Sequence, residues 1–67
     1  MSMEEECEQY LEMSERAAAL ERLGIFDKAA IYWGKAHRLA VRRSNQEWSE
    51  RRMDFCSLKK PSFKFVP

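Results

Sequence analysis

The sequence predicts an all-α fold: an antiparallel helical hairpin, a third helix, and an extended C-terminal tail. Apolar residues recur at helical spacing through three stretches up to Cys56. A single glycine, Gly24, separates the first two stretches, and a serine followed by a glutamate, Ser44 and Glu47, opens the third. Beyond Cys56 the periodicity stops and both prolines of the chain, Pro61 and Pro67, appear. The expected organisation is one domain over residues 1–56, with helices near 3–23, 27–43 and 45–56, and a tail over 57–67.

In the first helix Tyr10, Met13, Ala17 and Leu20 fall at i, i+3, i+7 and i+10, one face of a 3.6-residue repeat. Good helix formers fill the segment, and its early acids suit the positive end of the helix dipole. Glu4, Glu5, Glu6 and Glu8 surround the helix without converging, so they read as a solvated face and not as a cation site. Gly24 ends the helix, because glycine takes a left-handed conformation without a Cβ clash.

Asp27 is placed to cap or open the second helix. Its buried line runs Ala29, Trp33, Ala36, Ala40, with Leu39 and His37 beside it. Small residues in that line let two helices approach closely, while Phe26 and Trp33 fill the space at the ends of the contact. Gly24, Phe26, Ala29, Trp33 and Ala36 resemble the glycine, aromatic and alanine positions of a tetratricopeptide repeat. One such hairpin buries little surface, so it needs a third helix, a second chain, or both.

The third helix is expected to start with a capping box, Ser44 to Glu47, and to carry Trp48, Arg52 and Phe55 at periodic positions. Arg52 lies one turn after Trp48, where its guanidinium can cover the indole. Trp48, Arg51, Arg52 and Phe55 form a candidate partner-binding patch, because Trp and Arg dominate binding hot spots. Trp48 and Phe55 serve equally well as core residues closing the hairpin. The tail residues Phe63 and Phe65 alternate with polar positions and suit either a mobile end or a docking strand.

Charge divides the chain. Residues 1–27 hold eight acids against two bases, a net of −6, and residues 28–67 hold ten bases against three acids, a net of +7, giving +1 in all. Such asymmetry steers a partner of opposite sign or lets the two halves serve each other. The two cysteines, Cys7 and Cys56, read as reduced thiols of a cytoplasmic protein, and the acidic start lacks the pattern of a secretory signal. No apolar run approaches the roughly 20 residues that span a bilayer.

Chemistry-bearing motifs are absent from the sequence: one histidine, no phosphate-cradling glycine loop and no metal-ligand spacing, so no catalytic residue, metal or cofactor is expected. That leaves binding. Arg38, Arg42, Arg43, Arg51, Arg52, Lys59 and Lys60 form a basic stripe that suits phosphates, whereas the acidic first helix repels them.

Residues 14–56 resemble the AraC negative regulator family of small bacterial transcriptional regulators. The resemblance rests on Ala17, Leu20, Glu21, Gly24, Ala29, Ala30, Trp33, Ala36 and Ala40, followed by Asn45, Trp48, Arg52, Phe55 and Cys56. It implies binding to AraC-type activators of virulence genes and repression of their regulon without enzymatic chemistry, with a nucleoid-associated protein as a second candidate target. The related PerC-like family is similar in the leucine, glutamate, glycine, phenylalanine, alanine and tryptophan of its hairpin and implies regulation of opposite sign. From the thin core we further expect a homodimer.

Overall fold

The computed structural model describes residues 6–59, which form three helices: α1 (Glu8–Arg22), α2 (Phe26–Leu39) and α3 (Arg43–Lys59). The fold is all-α, with α1 packed on α2 and α2 on α3. α1 starts later than expected, at Glu8, with Cys7 extended (φ −63°, ψ 134°), so residues 6 and 7 are not helical; residues 3–5 and the tail residues Phe63 and Phe65 lie outside the described residues.

Gly24 adopts φ +79°, the left-handed conformation its position predicts. Around it the Ile25 amide donates to the Leu20 carbonyl at 2.9 Å and the Gly24 amide to the Glu21 carbonyl at 2.9 Å. Those two bonds are a Schellman motif, which satisfies the free carbonyls at the end of α1 and turns the chain back. The turn keeps its expected three residues but is shifted one residue toward the N-terminus, over 23–25. α2 begins at Phe26 after Ile25, and Asp27 sits in its first turn, accepting from the Lys28 amide at 2.8 Å instead of capping the helix.

The core is made largely of small side chains. Ala17, Ala29, Ala36, Ser49 and Cys56 are fully buried, Ala40 is 8% exposed, and among the large residues described only Tyr10 and Trp33 are buried, each 4% exposed. Met13, Leu20 and Phe26 are partly buried against this cluster. The hairpin line Ala29–Trp33–Ala36–Ala40 is therefore where the sequence places it, with Tyr10 and Ala17 facing it from α1. Helices meet at alanine contacts, and the Trp33 indole fills the widening gap between them.

α3 differs from expectation in three respects. First, α2 ends at Leu39, since Ala40 is extended (φ −67°, ψ 132°). Second, α3 starts at Arg43, which puts Ser44 inside its first turn and removes the expected capping box. Third, α3 continues to Lys59, so residues 57–59 are helix and not tail. Leucine and lysine propagate a helix readily, and nothing before Pro61 breaks it.

Candidate functional site

The sequence points to Trp48, Arg52 and Phe55 as the periodic face of α3, but the residues turned into the protein are Ser49 and Cys56. Being small, they let α3 lie close to α2; opposite them, the Met53 sulfur leaves only 3.2 Å for a Cβ at Gly34. Trp48 and Phe55 are consequently displaced to the rim, 49% and 37% exposed. Each still leans on α2: Trp48 meets Trp33 edge-on with centroids 6.4 Å apart, and Phe55 meets Phe26 in the same way at 6.3 Å. Such T-shaped pairs fix ring orientation and contribute about 0.5–1.5 kcal/mol each.

Arg52 lies between the two rings. Its guanidinium carbon is 5.4 Å from the Trp48 centroid and 4.4 Å from that of Phe55, the second contact being one that helical spacing also permits. From α1, Glu21 holds it: Arg52 Nη2 donates to Oε1, and Nε donates to Oε2 at 3.2 Å. The same Oε2 accepts the Trp33 indole N–H at 2.5 Å and the Cys56 thiol at 3.3 Å. One carboxylate thus ties all three helices together.

The electrostatics follow from that geometry. Burial alone raises the Glu21 carboxyl, but donors from Arg52, Cys56 and Trp33 more than reverse it and leave it below its ordinary value. Glu21 in turn raises the Arg52 guanidinium. Burial and the neighbouring carboxylate push the Cys56 thiol up to about 12, so it stays protonated and acts as a donor. Both described cysteines are free.

Glu6 is a second junction that the sequence does not announce. Expected on a solvated face, its carboxylate instead accepts from the Val41 amide at 2.8 Å, the Arg42 amide at 3.0 Å and the Asn45 side-chain amide at 2.9 Å. It takes the place at the turn into α3 that the capping box was expected to fill. Desolvation raises this carboxyl, and the bonds from Asn45, Arg42, Cys7 and Val41 outweigh it, bringing it down to about 2. On the same side His37 Nδ1 lies 3.0 Å from the Gln46 carbonyl, a partner for a histidine at the helix flank.

Arg51 is exposed beside the Trp48–Phe55 cluster, and Lys59 sits with its Nζ 5.5 Å from the Phe55 centroid. The four partner-patch residues thus share one side of α3. The ten expected core residues fall within or against the hairpin core, apart from Gly24 in its turn. Elsewhere, Arg16, Ala19, Leu20, Lys28 and Tyr32 line an open cleft of about 320 Å³ between α1 and α2. Among the described residues no three His, Cys, Asp or Glu side chains gather as a metal site, and no helix is long and apolar enough to cross a membrane.

Comparison with family models, curated proteins and solved structures finds no match to this chain. The site is read from its own chemistry.

Proposed function

We propose that the chain is a non-enzymatic, cytoplasmic transcriptional regulator that binds AraC-type activators of virulence genes and keeps them from dimerising or gripping DNA. One observation carries the reading. Trp48 and Phe55 are exposed and Arg52 partly so, yet all three are held in a fixed arrangement by Glu21, Trp33 and Phe26. Ordered aromatic and arginine side chains at a surface are the composition of protein-binding hot spots. Because their rotamers are already restricted, little entropy is lost when a partner covers them. The resemblance of residues 14–56 to the AraC negative regulators supplies the partner class and the sign of regulation; a PerC-like activator is the reading of opposite sign.

Exposed Leu11, Leu23, Ile31 and Val41 lie outside this patch and offer apolar surface for pairing two chains, as the proposed homodimer requires. A nucleoid-associated protein is a second candidate target. The test is a gel-shift titration of this protein against a promoter duplex, alone and already bound by an AraC-type activator, at physiological salt. Dissolution of the activator complex with no shift of free duplex supports the reading. A shift of free duplex replaces it with direct DNA binding through the arginines of α2 and α3.

A further inference from the structure

Resting on the homodimer of the reading above, we propose that two copies of this chain pair across the open cleft between α1 and α2, with α1 of each lying against α2 of the other. Arg16 and Leu20 line that cleft from α1, and Tyr32 and Lys28 from α2, at matching distances from the Gly24 turn. Two large apolar side chains stand on the same face one turn from cleft residues and are left to solvent, Leu23 at 72% exposed and Ile31 at 58%. An apolar cleft with apolar residues at its rim is a surface that its own copy can close.

Charge selects a second copy and sets how it docks. On α1, Glu12 stands one turn before Arg16 and pairs with it at 3.3 Å, and Glu8 stands a further turn back, so this edge is net negative. On α2, Lys28 and Lys35 lie one turn either side of Tyr32, with the Lys35 ammonium 5.1 Å from the Tyr32 ring centroid, and no acid stands three or four residues from either lysine. Farther round the two helices, Glu15 offsets Arg22 and Asp27 offsets Arg38. The cleft therefore has an acidic edge and a basic edge. A two-fold axis parallel to the helices brings unlike edges together, whereas an axis across them sets α2 on α2 and lysine against lysine.

The parallel axis also keeps each residue at its own level along the helices. Counted out from the turn as the cleft pairs Arg16 with Tyr32 and Leu20 with Lys28 are, Glu12 falls within one residue of the level of Lys35, about 1.5 Å along the axis. Ile31 falls beside the stretch from Arg16 to Leu20, so each copy sets its Ile31 over the cleft mouth of the other. A small anion held between Arg16 and Lys28 fits less well, because Glu12 already engages Arg16 and a molecule of about 320 Å³ leaves Leu23 and Ile31 uncovered. α3 packs on α2 through Phe26 and Gly34, away from the cleft residues, so pairing leaves Trp48, Arg52 and Phe55 of both copies open to an activator.

Sedimentation velocity on the full chain across micromolar concentrations is the test, with circular dichroism reporting that each variant keeps its helices. The wild type is expected to dimerise. Glu12 and Lys35 are both exposed, and the reversals E12K and K35E each set like charges against one another at both symmetry-related contacts, so each weakens the dimer at least about tenfold. Mixed in equal amounts the two variants restore it, because every contact in the mixed pair again joins an acid to a base. A monomeric wild type overturns the proposal, as does wild-type dimerisation of either variant or a mixture that pairs no more tightly than its components. These failures are distinguishable. If the wild type dimerises and both variants do so equally well, the homodimer stands and this face is wrong. If the wild type is monomeric yet dissolves the activator complex in the gel shift, the regulator reading stands without the dimer; if the dimer forms through this face but the activator complex persists, the face stands and the regulator reading fails.

Discussion

Replacing Glu21 by alanine removes one acceptor and strands three donors, the Trp33 indole N–H, the Arg52 guanidinium and the Cys56 thiol. The Glu21 and Arg52 side chains are 14% and 27% exposed, so water compensates only in part. Breaking a fully buried ion pair costs about 3–5 kcal/mol and an exposed one under about 1 kcal/mol, which places this pair, with its two further donors, at about 2–3 kcal/mol. At about 0.05–0.15 kcal/mol per residue a chain of this length has about 3–10 kcal/mol in total, so the variant sits near the edge of folding. In a thermal melt followed by far-UV circular dichroism the midpoint falls by about 10–20 °C, at about 4–8 °C per kcal/mol for a domain of this size. E21Q keeps one oxygen to accept from Trp33, Cys56 and Arg52 Nε but sets an NH2 against the Arg52 Nη2 donor, so its loss is smaller than that of E21A, about 1 kcal/mol. Melting of E21A within about 2 °C of the wild type refutes the claim that this carboxylate joins the three helices.

Three further outcomes follow from the same structure. Glu6 is held at about 2 in the folded chain, below the ordinary 4.5 of a glutamate, so its contribution is complete above the ordinary value and is lost as the pH falls toward 2. E6Q should therefore flatten the loss of stability between those limits in urea titrations at stepped pH, and should cost about 1 kcal/mol at neutral pH, the value of a helix cap. Gly24→Ala meets no atom within 4 Å, so its cost is the positive φ alone, about 1 kcal/mol, and a variant as stable as the wild type would show that the turn relaxes. Cys56 is fully buried and its thiol is pushed up to about 12, whereas Cys7 is half-buried, so an alkylating reagent at neutral pH should label Cys7 first and reach Cys56 only on unfolding, as intact-mass spectrometry would register.

The hairpin was legible because it is a local property. Periodicity located Ala29, Trp33, Ala36 and Ala40, and the lone Gly24 between two periodic runs fixed the turn. The inner face of α3 was not. Large apolar residues dominate any periodicity reading, yet close helix packing puts small ones at the contact, so Ser49 and Cys56 went inside and Trp48 and Phe55 to the rim. The end of α3 at Lys59 was missed for a related reason: a fading apolar pattern ends amphipathicity, not helix.

Glu21 carried one visible signal. It stands four residues after Ala17 and eleven after Tyr10, an acid on the buried face of α1, and an acid there requires a donor. Its donors, however, come from residues 12, 31 and 35 positions away, and Glu6 bonds to a turn 35 and more residues distant. By itself the sequence determined three helices, one turn and the alanine seam, because propensity, glycine freedom and spacing act within a few residues. Only the tertiary structure decided which acids are solvated and which are braces, and which aromatics face water. A charge's role depends on the donors and the dielectric brought around it by packing, and those are set when distant segments meet.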